Sequence, residues 1–67
     1  MGVESYRGCT IRGFARPLVD GMFEASGAVE QGRQVVEASD PLGYHPTFDR
    51  AVAEGLKWAR DWVDIHS

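Results

Sequence analysis

Alternating apolar and polar residues dominate the first half of the chain. In the clearest alternation, over residues 22–30, the apolar positions are Phe23, Ala25 and Val29 and the polar ones are Glu24, Ser26 and Glu30. A period of two is typical of a strand with one buried face. Less regular alternations predict a first strand over about residues 5–17 and a third over residues 33–38, with Val35 and Val36 as the apolar content of the third.

The predicted first strand has an imperfect pattern. Cys9, Ile11 and Ala15 share one parity, whereas Tyr6 and Phe14 share the other. A β-bulge shifts the alternation by one residue, and glycine often marks one inside a strand. We therefore expect a bulge at Gly8 or Gly13, which are the glycines lying between the two sets.

Turn-forming residues separate these segments. Asp20-Gly21 lies between apolar pairs, which is the pattern of a hairpin with a type I′ turn. Gln31-Gly32 is a weaker copy of the same signal. Residues 39–46 contain two prolines and a glycine, and they predict a loop.

The last third of the chain has a helical period. Thr47 can cap a helix over about residues 47–65, and nearly all apolar side chains fall on one half of its circumference. The centre line of that half is small, with Ala51, Gly55 and Ala59. A glycine inside a helix costs about 1 kcal/mol relative to alanine. We attribute Gly55 to a close approach between helix and sheet, with Leu56, Trp58 and Trp62 straddling the contact.

These elements predict one α+β domain spanning residues 1–67. Its order is β-β-β-α, a three-stranded antiparallel β-meander with one long C-terminal amphipathic helix packed on one face. A chain of 67 residues buries only about 60% of the surface that its unfolded form exposes, so the domain should be marginally stable.

The composition restricts the cellular compartment and the functions that we expect. The net charge of −3 argues against broad binding to nucleic acids, which needs a basic face. The single cysteine cannot form an internal disulfide, so we expect a reducing, cytoplasmic setting. The first residues do not resemble a secretion signal, and no apolar run is long enough to span a membrane.

Little in the sequence indicates catalysis. Cys9 and His45 are the one pair that suggests a nucleophile and a base, although no spacing requires them to meet. Two histidines and one cysteine without a ligand-type spacing predict no metal site, and no glycine-rich motif indicates a nucleotide cofactor. We therefore expect a protein that is not an enzyme and has no cofactor.

Self-association is the leading expectation for function. The apolar half of the predicted helix is wider than one small sheet covers, and a three-stranded sheet has two open edges. Both features favour a small protein-interaction module that binds a protein partner or forms a homodimer. The candidate interaction surface consists of Leu56, Trp58, Trp62 and Tyr44.

An alternative function uses a local basic patch. Arg7, Arg12 and Arg16 fall within the predicted first strand with Tyr6 and Phe14 interleaved, and Arg33 begins the third. Such a patch would make a weak nucleic-acid-binding or antitoxin-like module. Cross-strand ion pairs with the glutamates of neighbouring strands are the competing interpretation.

Two resemblances rest on motifs along most of the chain. The spacing of Tyr6, Gly8 and Ile11, the Asp20-Gly21-Met22-Phe23 turn and the helix from Thr47 through Trp62 resemble short proteobacterial proteins that have no established activity. A more distant resemblance is to the N-terminal half-domain of HicB-type antitoxins. Asp20, Gly21, Phe23, Ala25, Thr47 and Ala51 match that half-domain. This resemblance implies a β-β-β-α architecture and a role in toxin binding or operator binding.

Overall fold

Consecutive antiparallel strands form the sheet, and a single helix follows them. The computed structural model describes residues 2–66, with the elements β1 Gly2–Tyr6, β2 Cys9–Pro17, β3 Phe23–Gln31, β4 Gln34–Ala38, β5 Tyr44–His45 and α1 Phe48–His66. The strand order is β1-β2-β3-β4, and the two-residue β5 also pairs with β3. The α+β class and the C-terminal helix are therefore confirmed, but the sheet has more strands than the predicted three.

A hairpin divides the segment that the sequence suggested was one strand. Arg7 and Gly8 connect β1 to β2 with φ angles of 51° and 83°, and positive φ at both central residues is the type I′ pattern. Pairing continues through Gly13, which lies opposite Gly27. The expected bulge is absent at both glycines. The turn at Gly8 explains the parity of Tyr6, which pairs with Cys9, whereas Phe14 keeps its parity and lies on the same face as Arg12 and Arg16.

The hairpin at Asp20-Gly21 is confirmed in position but not in turn type. The amide of Leu18 donates to the carbonyl of Met22 at 2.8 Å, which leaves a three-residue loop. Of the two expected positive φ angles only that of Gly21 is found, at 83°. The carboxylate of Asp20 instead accepts a hydrogen bond from the amide of Met22 at 3.0 Å, so this aspartate stabilises the turn through its side chain.

The edge of β3 that faces away from β2 is covered in two pieces. β4 pairs with the end of β3, and a bulge between Val29 and Glu30 leaves Val36 without an opposite residue. β5 pairs with the beginning of β3. Between them, Ser39 donates to the carbonyl of Gly27 at 2.8 Å. The segment predicted as a loop over residues 39–46 therefore lies along the sheet and adds the short β5.

The helix begins where the sequence indicated. The hydroxyl of Thr47 accepts a hydrogen bond from the amide of Arg50 at 3.1 Å, which is the geometry of an N-cap. Four residues at a spacing of four are buried along one line of α1, namely Ala51, Gly55, Ala59 and Val63. The predicted small-residue line is thus the part of the helix that touches the sheet.

Three glycines meet where α1 crosses β2 and β3. A Cβ atom added to Gly55 would overlap the carbonyl oxygen of Ser26 and lie 2.9 Å from the Cα of Gly13. A Cβ on Gly13 or Gly27 would in turn overlap backbone oxygens of α1. Backbone therefore packs on backbone at this point, and none of the three positions has room for a side chain.

Larger side chains complete the core on both sides of this contact. Ile11, Val29, Ala59 and Val63 form the buried cluster, and Tyr6, Cys9, Leu56, Trp58 and Trp62 pack against it partly buried. Leu56 lies towards Gly13 and Trp58 towards Gly27, so these two straddle Gly55 as expected. Ile65, near the end of α1, is 77% exposed and lies outside this core.

The glycine contact predicts an unusual response to an alanine substitution. In an ordinary helix Gly→Ala is favourable by about 1 kcal/mol. Gly55→Ala should instead lower the free energy of unfolding by about 1–3 kcal/mol, because the methyl group overpacks the interface. Urea denaturation measures the change.

Ala53 supplies the matched control for this measurement, because it lies on the exposed side of the same helix. Ala53→Ser adds one atom there and should change the stability by no more than about 0.5 kcal/mol. An increase in stability for Gly55→Ala would contradict the close approach.

Candidate interaction surface

The four residues proposed from the sequence as an interaction surface are dispersed. Leu56 and Trp58 lie half-buried on opposite sides of Gly55, and Trp62 packs half-buried one turn beyond Trp58. Tyr44, which is 62% exposed, pairs with Glu24 from β5, so its side chain lies on the sheet face opposite α1. The structure therefore does not bring these side chains together into one patch.

The four arginines of the candidate basic patch are also separated. Arg7 lies in the β1–β2 turn and Arg33 in the turn between β3 and β4, so neither belongs to a strand as expected. Only Arg12 and Arg16 lie in one strand, on the sheet face opposite α1, which we term the uncovered face.

Ion pairs neutralise the arginines of the uncovered face. Arg12 contacts Glu30 at 2.6 Å, and Arg16 contacts Glu24 on the adjacent strand at 3.1 Å. Phe14 lies between the two arginines on β2, so the interleaving expected for a base-stacking surface is present. The charge expected for such a surface is balanced by the two glutamates, in agreement with the cross-strand pairing considered from the sequence.

Arg33 differs from every other basic residue of the chain. The ion pairs of the structure bind Arg7, Arg12, Arg16, Arg50, Lys57 and Arg60 to acidic side chains. Within residues 2–66, Arg33 has no acidic partner. Glu37, four residues further on, accepts a hydrogen bond from the neighbouring amide of Ala38.

Strand β4 is the most exposed element of the sheet. All five of its residues are exposed, including Val35 at 60% and Val36 at 45%. The sequence analysis identified these valines as the apolar content of a third strand. They remain exposed because α1 crosses β2 and β3 and makes no substantial contact with β4. Two consecutive valines in a strand without a regular alternation were the signal that this strand has no covered face.

A cleft of about 420 Å³ opens between β4 and the C-terminal half of α1. Its lining residues are Arg7, Cys9, Gln31, Val36, Trp62, Val63 and His66. The Trp62 and His66 rings stack in it at 3.9 Å. His66 Nδ1 lies 2.8 Å from the carbonyl oxygen of Trp62, and this nitrogen is the donor because a carbonyl only accepts. Val36 therefore belongs both to the exposed surface of β4 and to the cleft, where it lies among the same lining residues as the Trp62 and His66 rings.

The pairing of Cys9 with His45 does not occur. Cys9 is at the start of β2, level with the end of β3, whereas His45 pairs with Phe23 at the other end of β3. The length of β3 separates them by about 26 Å at 3.3 Å per residue. The histidine that shares the cleft with Cys9 is His66, which sequence spacing did not indicate.

The part of the chain that the structure describes contains neither a metal-binding group of side chains nor a membrane-spanning helix. Within residues 2–66 no three histidine, cysteine or acidic side chains are grouped so as to hold a metal ion. The helix in the same range is not apolar enough over its length to cross a membrane.

Polar contacts attach the end of α1 to the first hairpin and so shape the cleft. The hydroxyl of Tyr6 donates to the carboxylate of Asp64, with distances of 2.9 and 3.1 Å to its two oxygens. Arg7 contacts the same carboxylate at 3.4 Å, and Arg60 contacts Glu4 on β1 at 3.0 Å. The hydrogen bond to Asp64 raises the pKa of Tyr6, with smaller contributions from burial and from the negative charge of Asp64.

Comparisons with protein-family models, with curated protein sequences and with solved structures find no match to the chain. The resemblance to HicB-type antitoxins therefore rests on the residues quoted for it above. The class that the structure defines is a small α+β protein with a four-stranded antiparallel sheet, an additional two-residue strand and one covering helix.

The Tyr6–Asp64 contact predicts a measurable titration. In a Tyr44→Phe background, only Tyr6 contributes a tyrosinate absorbance. Asp64→Asn should lower its pKa, because the neutral amide no longer opposes the phenolate. Asp61→Asn, one turn away on α1, is the control and should leave the pKa unchanged.

The raised pKa of Tyr6 also makes the stability of the fold depend on pH. Because this pKa is higher in the folded chain than in the unfolded chain, its contribution to stability is fully present at pH values below the unfolded pKa. The contribution is lost as the pH rises through the folded pKa. A Tyr6 pKa that is equal in the parent and in Asp64→Asn would show that the contact does not form in solution.

Proposed function

We propose that this protein is a small non-enzymatic protein-interaction module that self-associates as a homodimer in the cytoplasm. The surface that we assign to this association comprises β4 and the adjoining cleft, and we term it the β4 surface. The single observation that carries the proposal is the exposure of Val35 and Val36 on an edge strand.

Edge strands with exposed apolar side chains are uncommon on monomeric proteins. An outer strand presents unpaired N–H and C=O groups, and an added strand satisfies them. Val35 and Val36 add apolar area that becomes buried when another chain covers β4. The cleft continues this area through Trp62 and Val63, so a contact on β4 can extend onto the end of α1.

The size of the chain supports the same proposal. The largest fully buried side chains are Ile11 and Val29, and most of the remaining core consists of alanines. A domain near this length obtains only a few kcal/mol of stability from its own core. Association stabilises a folded domain by mass action, because the unfolded chain does not bind.

Nucleic-acid binding is the alternative, and Arg12, Phe14 and Arg16 on the uncovered face favour it.

Electrostatic binding to phosphates is strongest at low salt. We expect no retention of single-stranded RNA or DNA by the protein near 50 mM salt, because Glu24 and Glu30 neutralise the arginines. A filter-binding assay measures retention, and retention that is lost in Arg12→Gln would favour the alternative over the proposed function.

Sedimentation velocity over a range from low micromolar to millimolar protein tests self-association. We expect the weight-average mass to rise with concentration from the 7.4 kDa of one chain. Val35→Lys should reduce this association, because it places a charge in the apolar part of β4.

Val3 provides the matched control, since it is 50% exposed in β1 at the opposite edge of the sheet. Val3→Lys should associate like the parent. A mass that stays at one chain throughout the range would contradict the proposed function, and equal effects of both substitutions would contradict the assignment to β4.

A further inference from the structure

We infer that the cleft between β4 and the C-terminal half of α1 is a binding site for a small aromatic carboxylate, a flat ring that carries one carboxylate group. This inference goes beyond the proposed function, because a single chain supplies all the side chains of the site. The cleft combines an aromatic wall, apolar side chains and exposed hydrogen-bond donors. Within residues 2–66, none of the side chains that line it is acidic.

The cleft has the size and the surroundings of a small-molecule site. Its volume of about 420 Å³ lies within the range of about 300–1,000 Å³ that is typical of ligand pockets. Such pockets have mostly apolar walls and a small number of polar groups that orient the ligand. A second cavity, beside Trp58, has about half this volume, at about 210 Å³, and three of its lining residues are charged: Glu54, Lys57 and Asp61.

Aromatic and apolar side chains on the two sides of the cleft favour a flat ring. On the α1 side, the rings of Trp62 and His66 stack with their planes 14° apart. The hydrogen bond from Nδ1 of His66 to the carbonyl of Trp62, at 2.8 Å, holds the imidazole in this wall. Val36 lies on the β4 side, and Val63 between them is only 3% exposed. A flat apolar group in the cleft therefore loses contact with water on both of its faces.

Exposed donors at the cleft favour a carboxylate on this ring. Arg7 carries a permanent positive charge, Gln31 carries an amide, and both residues are exposed. A guanidinium matches a carboxylate in shape and binds it through parallel N–H groups. A cationic ligand of the same shape would meet the charge of Arg7 without a carboxylate among the described lining residues.

Asp64 limits the affinity of this site. Its carboxylate is not among the lining residues, but it contacts Nη1 of Arg7 at 3.4 Å. The guanidinium has five N–H donors, so a ligand shares Arg7 with Asp64. For a ligand of about ten heavy atoms we therefore expect a weak complex, with a Kd of about 1–10 mM. Removal of the charge of Asp64 should make the complex tighter.

Benzoate and benzamide are matched ligands for the test, because they share a flat ring and differ in charge. Each is titrated into isotope-labelled protein at a concentration at which sedimentation shows a single chain, and heteronuclear NMR spectra report which N–H groups respond. Benzoate should shift the indole signal of Trp62 and the amide signal of Val36, with the indole signal of Trp58 as the internal reference. Benzamide should bind at least about threefold more weakly.

Substitutions at the two charged residues test the role of Arg7. Arg7→Gln should weaken benzoate binding by about threefold or more and leave benzamide binding unchanged. Arg60→Gln is the matched control, because it removes another ion pair between α1 and the first hairpin, to Glu4 at 3.0 Å, outside the cleft. Asp64→Asn should strengthen benzoate binding by about twofold or more. Asp61→Asn, one turn earlier on α1, should leave it unchanged.

The possible outcomes separate the ligand site from self-association. Circular dichroism verifies that each variant is folded. Equal binding of benzoate and benzamide, or benzoate binding that Arg7→Gln does not weaken, overturns the assignment of a carboxylate. Signals of Trp62 and Val36 that respond to neither compound overturn the site itself. If these signals respond only to the protein concentration, a second copy occupies the cleft, which overturns the ligand site and supports the proposed function.

Discussion

The backbone contact among Gly13, Gly27 and Gly55 is the constraint on which the rest of the structure depends. Gly13 and Gly27 are paired across β2 and β3, and Gly55 lies against them from α1. With no side chain in between, the helix rests on the centre of the sheet. Leu56 and Trp58 then pack on its two sides, and the small core of Ile11, Val29, Ala59 and Val63 continues along the helix.

The position of this contact also determines what remains exposed. A helix centred over β2 and β3 leaves β4 outside its reach, and the opposite face of the sheet has no covering element within residues 2–66. The two exposed surfaces differ in character. Ion pairs occupy the uncovered face, whereas β4 combines exposed valines with Glu37, and neither Glu37 nor the adjoining Arg33 belongs to an ion pair within residues 2–66. The proposed association follows from that difference.

Local signals along the chain were sufficient for the helix and for most turns. Thr47 as the cap, the line from Ala51 to Ala59 and the reason for Gly55 could be read from the sequence, because helical period and capping act over a few residues. The turn at Arg7-Gly8 was not recognised, since arginine is an unusual residue at positive φ. One strand was therefore predicted where two exist.

The surface was less predictable than the fold, because it depends on contacts between distant segments. Periodicity placed Val35 and Val36 in a strand, but their exposure depends on how far α1 extends over the sheet. The separation of Cys9 from His45 likewise follows from the order of strands and not from any spacing. That Arg33 lacks an acidic partner emerges only once the partners of the other basic residues are known.

Nuclear Overhauser contacts between backbone protons test the central contact most directly. The account predicts strong cross-peaks between the α-protons of Gly55 and those of Gly13, because a Cβ at Gly55 would lie 2.9 Å from the Cα of Gly13. Cross-peaks from Gly55 to Ser26 and Gly27 should accompany them. A Gly55 whose α-protons show contacts only within its own helix would contradict the account, since α1 would then not rest on β2 and β3.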